Sequence, residues 1–248
     1  MRDEPPRSLA VQGEMIRPYA ALGACLLATL LRAETPELLQ DAVTNWTSGK
    51  EELAFTQRAR TLNDDGTVKE ERLERYDPSL PDNRRWHLLE VNGQPPTDDQ
   101  RNSIEVRRNR KPRKHANKPV DKVLDLSEAV VREQSEKEVI FEVGVRPDAA
   151  RLFQTDKLIL LVTVDRHNRT IERVTAGLRE PMRVALGLAK VTDVDFDLTF
   201  DGVDAHGKRN DPDDEPNGTA KVSFSKLGTQ MQYEWSDFKR VDAYRPNP

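Results

Sequence analysis

The chain holds one cysteine, Cys25, in 248 residues. A single thiol excludes both a disulfide framework and a cysteine zinc site within one chain. Aromatic residues are scarce, at 6%, while charged residues make up 33%, so any core is thin and the surface is heavily solvated. The formal net charge is only −4, which argues against nucleic acid as the partner. Four histidines, His87, His115, His167 and His206, stand singly, with no H-x-H or HExxH spacing to hold a metal. A G-x-S-x-G elbow, a P-loop and a paired Gly-rich fingerprint are all missing. No catalytic residue and no metal ligand is assigned, and no cofactor is implied. Internal repeats are absent as well.

Long apolar runs are also lacking, with one exception at 19–31 (YAALGACLLATLL). That run is shorter than the roughly 20 residues a transmembrane helix needs. Arg17 precedes it and the small Ala33 comes after it, the pattern of a secretory signal peptide over residues 1–33. Residues 1–14 read as an over-long start ahead of a more ordinary one at Met15. Leu22-Gly23-Ala24-Cys25 resembles a lipobox, so a lipoprotein anchored at Cys25 is the alternative, and a buried core helix a third reading. The expectation is a periplasmic or secreted protein with a single domain at 34–248.

The rest of the chain is mostly β pattern. Thr35-Pro36-Glu37 suits a helix start, through a capping hydroxyl, a proline in the first turn and an acid facing the dipole. Leu38, Leu39, Ala42, Val43 and Trp46 then recur on one face, and Gly49 ends the helix. Strand-like runs at 53–61, 67–76 and 85–91 are separated by Asn63-Asp64-Asp65-Gly66 and by a turn holding Pro78 and Pro81. Asp-Gly supplies φ > 0 cheaply and the prolines forbid helix, so these breaks are hairpin and loop punctuation. Thr97-Asp98-Asp99-Gln100 is a capping box for a second helix. Further strands are expected at 129–133, 138–145, 157–165, 170–175, 191–201, 219–226 and 229–241, while 178–189 is ambiguous because of Pro181 and Gly187.

Two charged stretches stand out. The basic loop at 107–118 carries Arg107, Arg108, Arg110, Lys111, Arg113 and Lys114. It reads either as a patch for an anionic membrane surface or an acidic envelope protein, or as a solvated loop. In 191–201, Val194, Phe196, Leu198 and Phe200 alternate with Asp193, Asp195, Asp197 and Asp201. Alternating acids on one strand diverge toward water rather than converge on calcium.

The helix with its tryptophan, then Phe55 and Gln57, Asp65-Gly66, Pro81 and Arg85-Trp86, in that order, resembles the start of the LolA/LolB lipoprotein-localisation family. That resemblance covers about residues 35–91. It implies a mainly β (α+β) fold: a curved antiparallel half-barrel whose concave apolar face is covered by helices. It implies an exported, non-catalytic protein holding lipid, acyl chains or another apolar ligand. The strand at 67–76 departs from the pattern, since its apolar members are only Val68, Leu73 and Tyr76. Candidate groove residues are Trp46, Phe55, Trp86, Leu88, Phe141, Leu160 and Tyr233, with Trp46 expected beside Phe55 or Trp86. The alternatives are an envelope scaffold with a filled barrel, and a secreted hydrolase needing converging carboxylates or a Ser/His/acid set.

Overall fold

The computed structural model describes residues 37–48, 51–109, 122–146, 154–184, 188–200 and 215–245. All of them belong to one compact unit, Pro36–Pro248. The signal-peptide segment, the lipobox around Cys25 and most of the basic loop lie outside the described residues.

Helix α1 occupies 37–48. Among the described residues eleven strands come after it: β1 (Glu51–Leu62), β2 (Val68–Tyr76), β3 (Trp86–Val91), β4 (Leu124–Gln134), β5 (Glu138–Val145), β6 (Leu158–Asp165), β7 (Thr170–Leu178), β8 (Met182–Val184), β9 (Ala189–Thr199), β10 (Asn217–Lys226) and β11 (Thr229–Asp242). Helix α2 (Asp98–Arg108) sits between β3 and β4. The strands form one antiparallel sheet in the order β3-β2-β1-β11-β10-β9-β7-β6-β5-β4, with β8 beside β7 on the same edge of β9. The sheet does not close. A sheet of this width curls under its own twist, and the result is an open half-barrel with free edges at β3 and β4.

Local chemistry fixes these elements. In the β1–β2 turn, Gly66 takes φ 81° and Asp65 Oδ1 accepts from both the N–H and the hydroxyl of Thr67. The β6–β7 turn is tied by the buried Asp165, whose Oδ1 accepts from His167 N–H at 2.8 Å and Asn168 N–H at 2.6 Å. Gly218 is needed where β10 meets β9, because a Cβ there would lie 2.0 Å from the Asp197 carbonyl oxygen. The capping box of α2 forms as its sequence suggests, Thr97 Oγ1 accepting from Gln100 N–H while Gln100 Oε1 accepts from Thr97 N–H.

The core lies on one face of the sheet. Leu38, Leu39, Ala42 and Val43 of α1 pack with Val139, Phe141 and Val143 of β5, Val162 and Val164 of β6, Ile171 of β7 and Leu198 of β9. Asn45 Nδ2 donates to the Arg169 carbonyl at 3.0 Å, and Asp41 pairs with the Arg169 guanidinium, so α1 is pinned to the β6–β7 turn. Trp46 does not stand beside Phe55 or Trp86 as the spacing suggests. It lies in the last turn of α1, is 37% exposed, and meets the Phe200 ring at 5.7 Å. The attachment to the β6–β7 turn holds that end of the helix beside the turn and Phe200.

Both edges are guarded. At β3, Asn109 Oδ1 accepts from Trp86 N–H at 2.9 Å and Asn109 Nδ2 donates to the Trp86 carbonyl at 3.0 Å. Glu105 Oε1 accepts from Leu88 N–H at 3.0 Å. Side chains of α2 and its cap thus take the outward backbone groups of an edge strand. At β4, register breaks between Asp125 and Val130 and between Val131 and Glu133 make a poor template for another strand.

Candidate functional site

Directly opposed residues of an antiparallel pair share a face, so the register defines rows across the inner face. One row runs Leu88, Glu74, Gln57, Trp235, Ala220, Phe196, Ala176, Leu160, from β3 to β6. Six of its members are apolar. The other two, Gln57 and Glu74, are neighbours, and they are among the most buried polar side chains described, at 4% and 1% exposed.

Glu74 is held by the second helix. Its Oε2 accepts from Arg108 Nε at 2.7 Å, with Arg108 Nη2 at 2.6 Å. The same guanidinium lies 4.4 Å from the centre of the Trp86 ring, a cation–π contact. Arg72 Nε is 3.8 Å from Glu74 Oε1, near enough for charge attraction and too far for a hydrogen bond. Gln57 Oε1 accepts from the Trp235 indole N–H at 3.2 Å. That leaves two buried atoms with no hydrogen-bond partner, Glu74 Oε1 and Gln57 Nε2.

Aromatic rings flank this pair on both sides. Phe55, Tyr76 and Trp86 form one cluster, with centroids 5.1 Å apart for Phe55–Tyr76, 5.8 Å for Phe55–Trp86 and 5.1 Å for Tyr76–Trp86. Phe238 joins it at 6.2 Å from Phe55. Burial in this cluster pushes the Tyr76 hydroxyl above its ordinary pKa. On the other side Phe224, Tyr233 and Trp235 stack face to face, with centroids 5.6 and 5.9 Å apart and planes tilted by 2° and 19°. All three of these rings are only half-buried.

The seven groove candidates therefore separate. Phe55 and Trp86 meet, with Leu88 beside them in β3 and buried, and Phe55 also packs against the core that holds Phe141. Tyr233 belongs to the second stack. Phe141, 1% exposed, is sealed beneath α1, and Leu160 packs against the same core. Trp46 stands apart at the end of α1. Of the basic residues, Arg108 leaves the solvated patch altogether and faces Glu74 and Trp86, because the last turn of α2 lies across β3. Arg107 is exposed, and Arg110, Lys111, Arg113 and Lys114 lie outside the described residues.

Sequence reasoning missed Glu74, Arg72 and Arg108 as an inward set. Gln57 had a signal, since it lies two residues from Phe55 and shares its face. Glu74 had none, because 68–76 reads as a charged strand. The acids of β9 point outward. Asp193 and Asp195 are exposed, and Asp197 pairs with Arg173, whose hydrogen bonds hold the Asp197 carboxyl below its usual range.

No family model matches the chain, and no curated protein does. Among solved structures, the crystal structure of a LolA superfamily protein from Nitrosomonas europaea aligns over 86% of this chain and 94% of that one, at 12% identity and a TM-score of 0.27. So loose an overlap assigns neither ligand nor residues, and the site stands on its own geometry. No group of metal-ligating side chains occurs among the described residues, and no described helix is long and apolar enough to cross a membrane.

Proposed function

We propose that this is an exported, non-catalytic binding protein that takes an acyl chain, or the apolar part of another lipid, on the inner face of its half-barrel. The observation carrying this reading is the Phe224–Tyr233–Trp235 stack. Three parallel rings lie on the core-bearing face, yet none is sealed as Phe141 is. Half-buried aromatic rings continuous with a core offer apolar surface of the kind that receives a ligand. Each CH₂ laid on it and removed from water contributes about 0.8 kcal/mol, so a chain of modest length suffices. Export rests on the apolar run at 19–31 behind Arg17.

A fatty-acid-like fluorescent probe should bind saturably, one per chain. Tyr233→Glu should weaken it, because the new carboxylate must lose water when the chain covers it. Tyr233 is half-buried, so the fold should survive, which circular dichroism checks. A probe signal that never saturates favours the scaffold reading, which the sealed core under α1 already supports for the other half of the sheet.

A further inference from the structure

We propose that the buried Gln57–Glu74 pair is the polar end of this inner-face site and selects an amphipathic ligand whose head is an uncharged alcohol. The inference rests on the inner face binding an apolar chain. Gln57 is fixed in orientation, because its Oε1 takes the Trp235 indole N–H; its amide nitrogen is therefore the group left without a partner, and it is a donor. Glu74 has Oε2 occupied by Arg108, and its Oε1 is a free acceptor. One unused donor and one unused acceptor thus stand on directly opposed residues, with Cβ atoms about 5 Å apart. Buried polar atoms are nearly always paired, and here the two needs are complementary.

A hydroxyl meets both, accepting from Gln57 Nε2 and donating to Glu74 Oε1. An ether has no proton for Glu74. A carboxylate has none either. The surroundings complete the fit. Trp235 is the next residue in the row, and the ring stack through Tyr233 to Phe224 leads away from the pair. A chain lying along the rings would bring its terminal hydroxyl to Gln57 and Glu74.

The test uses the full chain and three ten-carbon probes: 1-decanol, decyl methyl ether and decanoate, titrated calorimetrically and by tryptophan fluorescence. Decanol should bind about tenfold more tightly than either of the others, the worth of a buried hydrogen bond made in one case and lost in the others. In Gln57→Leu all three probes should weaken alike, by about three- to tenfold, because each accepts from Gln57 Nε2, while the alcohol's advantage, which rests on the proton given to Glu74, persists. Ether and alcohol binding the wild-type protein equally would overturn the anchor and leave the apolar reading standing. No binding by any probe would overturn both. Decanol and the ether binding a folded Gln57→Leu as tightly as the wild-type protein would remove Gln57 from the site. The wild-type comparison needs no variant, so a Gln57→Leu protein that fails to fold does not protect the proposal.

Discussion

Beneath α1, strands β5, β6, β7 and β9 present Val139, Phe141, Val162, Val164, Ile171 and Leu198, all buried and all apolar. Beneath α2, the same face of the same sheet presents Gln57, Glu74 and Arg72. The difference stems from what each helix brings. The first two turns of α1 carry an apolar stripe, whereas α2 has no buried residue and leaves Val106 exposed. It docks instead through Glu105 on Leu88, Arg108 on Glu74 and the Trp86 ring, and Asn109 on Trp86. Apolar burial scales with area and tolerates small shifts. A docked polar side chain is worth about 1 kcal/mol net and only at the right geometry. The α1 half is therefore an apolar core, and the α2 half is a buried polar arrangement.

The largest effect expected is in the packed half. Phe141→Ala should lower stability by about 3–5 kcal/mol, the cost of deleting a sealed aromatic ring, measured by denaturant unfolding. A loss near 1 kcal/mol would mean that the α1 half is loosely filled and that the two halves are not distinct.

Next comes the ion pair under α2, where the two partners are unequal. Arg108→Ala leaves a carboxylate that is 1% exposed with only Arg72 nearby, at 3.8 Å, and should cost about 3 kcal/mol. Glu74→Gln keeps the shape and leaves Arg108, whose side chain is 29% exposed, free to reach water, so about 1 kcal/mol is expected. Equal losses would show that burial of Glu74 is not what makes the pair costly to break.

Trp46→Ala is smaller than the helical stripe suggests. With the ring over a third exposed and touching Phe200 at one edge of α1, about 1–2 kcal/mol is expected, against about 3–5 for a buried tryptophan. Unfolding midpoints of the variant decide between the two.

Much of this architecture was legible from residue order alone. The Asp65-Gly66 turn, the capping box at Thr97 and the alternation in β5 and β9 all mark real elements, because each is a local signal with a local cause. β4 begins at Leu124 rather than at 129 because a bulge between Asp125 and Val130 breaks its alternation. β8 is a three-residue strand just after Pro181, too short to carry a period. The polar half was illegible for a different reason. In β2, Leu73 faces away from the core-bearing side while Glu74 turns toward it, since Glu74 opposes Gln57 and Leu88. The partner that makes this tolerable, Arg108, is 34 residues further along. A parity set by neighbouring strands and a charge neutralised from a distant helix leave no trace in a strand's own sequence.

The smallest effect concerns the outer surface of the packed half, where Arg173 of β7 and Asp197 of β9 pair in solvent with side chains 52% and 41% exposed. If the two halves differ only on the inner face, this pair should matter little. The Asp197 carboxyl is held below its usual range first by hydrogen bonding to Arg173. An acid whose folded-state pKa is depressed contributes stability above its unfolded value, near 3.9, and loses it as pH falls through the folded one. Asp197→Asn should therefore cost less than about 1 kcal/mol at neutral pH and low salt, since both groups are well solvated. The loss should shrink with added salt and vanish once the pH is below the depressed value, where the wild-type carboxyl is also uncharged. Unfolding at neutral and strongly acidic pH, each at two ionic strengths, measures all four corners. A loss above about 2 kcal/mol that ignores salt would place Asp197 in the packing of β9 against β7 rather than in a surface pair, and the packed half would then depend on charge as the α2 half does.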